Sequence, residues 1–321
     1  MKRKIFNIGC VILYLCGVII FSYPDLMYLK NMMDNKAAIV AVQKKSEHIG
    51  DLQIESAEGV KQSNEDTADS QRESAEDMEQ LLQAMQEYNL QLFESGQENL
   101  TDPWSYQQSG LDLKAYGMND NIIGVLTVPK MEIELPIYLG ASAENMAKGA
   151  ALMGQTSFPI SGKNSNAVLA GHRGWKGIPM FREIERLQTG DTLTIQNFWE
   201  TLTYQVTDIK ILMPDDIEAV LIQPGKNIVT LITCHPYTKN VRRYVVYCEQ
   251  IGDGAVSSED SSAAEEQERS EEQRMESEQT RIQGAAEDEE ILTREQFWRK
   301  AGYGVIILLG ILLLKRILRR E

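Results

Sequence analysis

Polarity along the chain marks two apolar runs near its ends and a patterned middle. Ile5 to Phe21 is apolar and follows Lys2, Arg3 and Lys4. Its length is near the lower limit for crossing bilayer hydrocarbon, and basic residues stay inside. Ser22, Tyr23, Pro24 and Asp25 make no small-x-small cleavage site, so residues 1–24 are expected to form an uncleaved anchor. Phe297 and Trp298 precede a second run, Ala301 to Leu314, which Lys315, Arg316, Arg319 and Arg320 follow. An aromatic belt, a short span and a basic tail predict a transmembrane helix over 297–321. Both termini would then be cytoplasmic, with the segment from Tyr23 to Gln296 outside.

Leu26 to Thr67 is polar and weakly periodic, with helical character from Leu26 to Lys45. Residues 25–73 therefore read as an extracellular stalk. Met78, Leu81, Leu82, Met85, Tyr88, Leu90 and Leu92 recur mostly at spacings of three and four, which predicts an amphipathic helix from Ser74 to Phe93. A coiled-coil stalk competes with this reading, but the pattern is too short for sustained heptads. Gly96, then Asp102, Pro103 and Trp104, mark a loop within the 74–118 segment. From Ile122 to Ile251 the pattern changes to short strands with turn punctuation. Strands are expected at Ile123 to Val128, Ile133 to Tyr138, Ala167 to Gly171, Thr192 to Ile195, Thr201 to Met213, Ile228 to Cys234 and Tyr244 to Glu249. Short helices are expected at Ala143 to Ala151 and Ile178 to Leu187. Many close strands with small helices predict a mainly β fold, a closed or nearly closed barrel over 119–252, rather than a doubly wound sheet.

Charge changes this picture in two places. The net charge of -15 repels phosphate backbones, and no Lys/Arg stripe holds them, so nucleic acid is excluded as a partner. Much of the acidity lies between Glu259 and Glu290, a run of Glu, Ser, Gln and Ala without aromatic residues. Such a run buries too little apolar area to offset its ordering entropy, so residues 253–296 read as a solvated acidic spacer.

Candidate chemistry is sparse. Of four cysteines, Cys10 and Cys16 sit in the first apolar run, leaving Cys234 and Cys248. There is neither a disulfide framework nor a CxxC pair. Three histidines exist: His48 in the stalk, His235 directly after Cys234, and His172 at the end of the strand AVLAGH. Adjacent strand residues point to opposite faces, so His172 is the better partner for Cys234. A catalytic Cys–His pair and a buried thiol with a structural histidine both remain open on composition alone.

The local motifs decide between them. TLITC (Thr230 to Cys234), followed by Pro236 and Tyr237, resembles the TLxTC signature of sortases. GHRG (Gly171 to Gly174) resembles their histidine segment, and NVRRYVV (Asn240 to Val246) their arginine segment, in the family's order and spacing over about Asn119 to Gln250. The resemblance implies a sortase-type barrel in which Cys234 is the nucleophile, His172 the proton donor and Arg243 the oxyanion or substrate-positioning group, with Thr233 at the substrate. Arg242 is the alternative to Arg243, but the two point oppositely on one strand. Arg173 is a rival oxyanion donor assigned to surface contacts, and Cys248 is assigned to packing. Sortases cleave a pentapeptide such as LPxTG between Thr and Gly, hold the acyl group as a thioester and pass it to an amine, without a metal or other cofactor.

Asp102, Pro103 and Trp104 resemble the DPW or DPF lid of class C, pilin-polymerising sortases, in which the Asp pairs with the catalytic arginine and the ring covers the thiol. The preceding amphipathic helix and the second span fit that class. His235 and Thr238 stand where Thr and Gly are usual in it, which leaves the preferred sorting motif open. The apolar tail with basic residues also resembles that of wall-anchored substrates, but no LPxTG-like pentapeptide precedes it. The implied partners are LPxTG-type surface or pilin proteins and an amine acceptor, either a pilin lysine or a cell-wall peptide. An extracellular cysteine endopeptidase and a catalytically silent adhesin are the competing readings.

Overall fold

The computed structural model describes residues 2–58, 65–97, 110–174, 179–237, 239–252, 291, 293–294 and 297–317. Runs of branched residues between turn signals form eight strands: β1 Ile122–Val128, β2 Ile133–Leu139, β3 Ala150–Leu152, β4 Ser165–Ala170, β5 Thr192–Gln196, β6 Thr201–Leu212, β7 Asn227–His235 and β8 Arg242–Ile251. They close into a barrel in the order β1-β2-β3-β4-β7-β8-β6-β5, so every strand finds two neighbours and no edge is left to pair elsewhere. The β2–β3 and β4–β7 pairs are parallel and the others antiparallel.

Leu126, Ile137, Leu169, Leu231, Tyr204 and Tyr244 fill the interior. The outer face of the β3–β4–β7–β8 wall is also covered. Ala151, Val168, Ile228, Ile232 and Val245 pack in a second apolar cluster with Ala219 and Val220 of a 3-10 turn, Glu218–Val220. This explains why β4, β7 and β8 read as nearly continuous apolar runs rather than clean alternation, as expected for strands buried on both faces.

Among the described residues, four α-helices accompany the barrel: α1 Lys2–Glu58, α2 Glu65–Glu94, the single turn α3 Ala143–Met146 and α4 Phe297–Ile317. The helical character expected from Leu26 to Lys45 is present, but this part of α1 does not stand clear of the barrel. Ile39, Val42 and Ile49 are buried in the main core, and α1 packs against β1 and β2. Spacings of three and seven put these three side chains on one seam. On α2 the buried positions are Met78, Leu81 and Met85, four of the expected face's neighbours being more exposed. Asn89 fastens α2 to the barrel by accepting from the Phe158 amide at 2.7 Å and donating to the Phe158 carbonyl at 3.0 Å.

Two short helices differ from expectation. The Ala143–Ala151 helix stops after one turn, and its last residues become β3. Of the helix expected from Ile178 to Leu187, the described residues 179–187 form only a 3-10 turn, Ile184–Arg186. The Phe181 amide donates to the His172 carbonyl at 3.0 Å, so this backbone closes a loop instead of continuing a helix.

The apolar parts of α1 and α4 are both long and apolar enough to cross a membrane. They lie side by side. The Tyr14 hydroxyl donates to the Ile306 carbonyl at 3.1 Å, and Phe21 meets Tyr303 edge-on at 4.9 Å. Gly302 and Gly310 provide the room for the Phe21 and Tyr14 rings, which is how small residues let membrane helices approach. Asp25 contacts both Arg299 and Tyr303 at the barrel side of this pair.

Candidate active site

Register brings the candidate residues together on the outer face of the barrel. Cys234, near the end of β7, is paired directly with Arg243 of β8, while His235 is paired with Arg242. Side chains alternate along both strands. Val229 and Leu231 on β7, and Tyr244 and Val246 on β8, face the interior; Cys234 and Arg243 therefore share the opposite face. β4 supplies the third residue. Ala170 is paired with Ile232, and the Gly171 amide donates to the Ile232 carbonyl at 3.1 Å, so His172 follows level with the Cys234 end of β7.

Several local features hold the histidine segment. A Cβ at Gly171 would come within 2.8 Å of the Phe181 ring, so only glycine permits this approach. Gly174 has φ +90, and a Cβ there would lie 2.7 Å from the Arg182 guanidinium. Thr233 is buried and donates its hydroxyl to the Gly171 carbonyl at 2.6 Å. The structure thus uses the Thr233 side chain to join the cysteine and histidine strands, rather than presenting it on the surface where a substrate would meet it.

Electrostatics separates the two thiols of the barrel. Cys248 on β8 is fully buried, and burial pushes its thiol well up. Cys234 is partly exposed. Burial also lowers the pKa of the half-buried His172 imidazole, leaving it neutral at neutral pH. Arg243 Nη1 donates to the carbonyls of Asn240 and Arg242 at 3.3 and 3.1 Å, which ties one terminal nitrogen of its guanidinium to the start of β8.

Arg173 corrects an expectation. It does not make surface contacts: it is 5% exposed. Its Nη2 lies 2.5 Å from Glu185 Oε1, its Nη1 is 3.0 Å from His235 Nδ1, and the same nitrogen donates to the Cys234 carbonyl at 3.4 Å. Glu185 also approaches His235 Nδ1 at 3.2 Å. His235, fully buried on the interior face, is directed away from Cys234. Burial alone would raise the Glu185 carboxyl; contacts with His235 and Arg173 outweigh it and hold the carboxyl below the usual range. The lid candidates Asp102 and Trp104 lie outside the described residues, as does most of the acidic spacer.

Residues 126–251 match the family model of the sortase domain. Among curated proteins, the chain is 32% identical to Sortase D of Bacillus subtilis over 131 residues, covering 40% of this chain and 63% of that protein. It is 33% identical to Sortase A of Bacillus anthracis over 134 residues, covering 42% and 62% respectively. The chain thus spans a little over three-fifths of the length of these relatives. Residues 126–251, the barrel that brings Cys234, Arg243 and His172 together, are thus a sortase domain. Solved structures narrow the likeness. Sortase C1 of GBS Pilus Island 1 superposes with a TM-score of 0.53 at 25% identity, covering 69% of this chain and 100% of that one. The type II crystal structure of Streptococcus agalactiae sortase C1 gives 0.51 at 29% identity, covering 57% and 93%.

Proposed function

We propose that this chain is a membrane-anchored transpeptidase that cleaves an LPxTG-like sorting motif, holds the acyl part as a thioester on Cys234, and transfers it to an amine, a pilin lysine during pilus assembly. The observation that carries this reading is the direct cross-strand pairing of Cys234 with Arg243, with His172 two residues past the end of the neighbouring β4. The proton of the Cys234 thiol moves to the neutral His172, and the thiolate adds to the carbonyl carbon of the Thr–Gly bond. Arg243 donates hydrogen bonds to the resulting oxyanion; its planar fork and permanent charge suit that role. The C–N bond then breaks, His172 returns its proton to the departing amine, and the thioester remains. A second amine attacks the thioester, loses its proton to His172 and releases the thiolate. A lowered imidazole pKa makes protonated His172 a stronger acid toward the leaving amine.

The pilin assignment rests on likeness to the sortase C1 structures and on the Asp102-Pro103-Trp104 motif, which we assign as a lid over the thiol. The domain plan follows: anchor, membrane-proximal helix, lid segment, barrel, acidic spacer and second span. Lys2, Arg3 and Lys4 at one end, and Lys315 and Arg316 at the other, orient both termini to the cytoplasm with the barrel outside. The alternative acceptor is a cell-wall peptide. Full-length protein in detergent, given an LPxTG-type peptide, should show the acyl-enzyme mass. Chasing it with a pilin-derived lysine peptide or a wall-type peptide distinguishes the acceptors, and the faster chase identifies the physiological one. Absence of the adduct, with hydrolysis only, would favour an endopeptidase.

A further inference from the structure

Behind the reacting face, a cluster of buried charge links the two segments that carry Cys234 and His172. Arg173 directly follows His172, and His235 directly follows Cys234. Alternation on β7 turns His235 inward behind Cys234, and Arg173, 5% exposed, is buried beside its neighbour His172. The two meet at one carboxylate. Glu185 Oε1 lies 2.5 Å from Arg173 Nη2 and 3.2 Å from His235 Nδ1, and Arg173 also reaches the Cys234 carbonyl. Tyr244 lines the cluster, with the Arg173 guanidinium carbon 5.8 Å and the His235 ring 5.7 Å from its ring centre. The side chains of Arg173, His235 and Glu185 are 4%, 0% and 12% exposed.

We infer that Glu185 is a positioning residue for acyl transfer: by binding Arg173 and His235 together, it sets the separation of His172 and Cys234 from inside the barrel. This rests on the reading of Cys234 and His172 as the reacting pair. The physical basis is the sensitivity of acyl transfer to geometry, since a shift of about 1 Å in a reacting group can cost roughly a hundredfold in rate. The cluster is not explained by stability alone, because a buried ion pair often contributes little net stability over apolar residues of similar volume. Glu185 touches neither substrate nor thiol, so its effect belongs in the catalytic step and not in peptide binding.

The test uses full-length protein in detergent and an LPxTG-type peptide with an amine acceptor. Glu185→Gln keeps the shape but removes the charge, leaving Arg173 buried without its counter-ion. The double variant Arg173→Met, Glu185→Leu removes both charges and fills the space, so it should fold even if the single variant does not. Circular dichroism and thermal unfolding select the folded variants. The inference expects kcat to fall at least fivefold in each folded variant while KM stays within about threefold. In particular, the double variant should regain wild-type thermal stability without regaining rate. A double variant that is folded and turns over within fivefold of wild type would show that the cluster serves only the fold, and would overturn the inference. Cys234→Ala is run beside them: residual transfer in that variant would instead overturn the assignment of the reacting pair.

Discussion

Replacing Arg243 with lysine keeps the charge opposite Cys234 but removes the planar fork. Its neighbour Arg242 provides an internal control, since β8 pairs it with His235 and it belongs to the other face. Loss of one well-placed oxyanion donor typically costs about 10²–10³ in kcat, equivalent to about 2.7–4 kcal/mol of transition-state stabilisation. Lysine retains the charge and rotatable ammonium donors on a flexible stem but no fixed fork, so the cost for Arg243→Lys should be about 10- to 100-fold. Arg242→Lys should stay within about threefold, as expected for an exposed residue away from the site. The fold should be nearly indifferent to both, with Tm moving by less than about 2 °C, because neither side chain contributes to either apolar cluster. Single-turnover formation of the acyl-enzyme, followed by mass, isolates the step in which the oxyanion develops. If Arg242→Lys were the more damaging, or both were mild, the assignment of strand faces would be refuted.

Thr233→Val should lower stability by about 1–2 kcal/mol, because it leaves the Gly171 carbonyl without the 2.6 Å bond from the Thr233 hydroxyl; a shifted urea midpoint with an unchanged slope checks this. Glu185 has a folded-state pKa below its unfolded value, so its contribution is present above the unfolded pKa near 4.5 and is lost as pH falls through the lower, folded value. Thermal unfolding from pH 7 to pH 3 should show this acid loss in wild type and a shallower one in Glu185→Gln; equal slopes would remove Glu185 from the account. If Asp102 and Trp104 form a lid, Asp102→Ala, Trp104→Ala protein should be alkylated at Cys234 faster than wild type at matched pH and salt. Equal rates would show that the segment does not guard the thiol.

Much of the barrel was legible because branched residues and turn signals bound each strand. β7 and β8 were placed to within two residues; alternation allowed only one of Arg242 and Arg243 to face Cys234, and the motif resemblance selected Arg243, the residue that the register pairs with Cys234. β3 was not legible: Ala150, Ala151 and Leu152 are three residues following a helical turn, with no alternation to read. The packed seam of α1 was hidden because Ala37 to Val42 is apolar on every side and six polar residues follow before Ile49, so no clean stripe marks the face that packs. The buried charge cluster was missed for another reason. Arg173, Glu185 and His235 are far apart in the chain and converge only after β4 and β7 align in parallel. One signal was available: a histidine placed directly after the nucleophile must point inward, where it needs polar company.

The central claim is that Cys234 alone carries the acyl group. Full-length wild-type protein, Cys234→Ala and Cys248→Ala are each mixed with an LPxTG-type peptide, and intact mass is recorded before any acceptor is added. The account predicts one adduct, of the mass of the peptide's acyl fragment, on wild type and Cys248→Ala, and none on Cys234→Ala. An adduct that survives in Cys234→Ala, or disappears in Cys248→Ala, would contradict it.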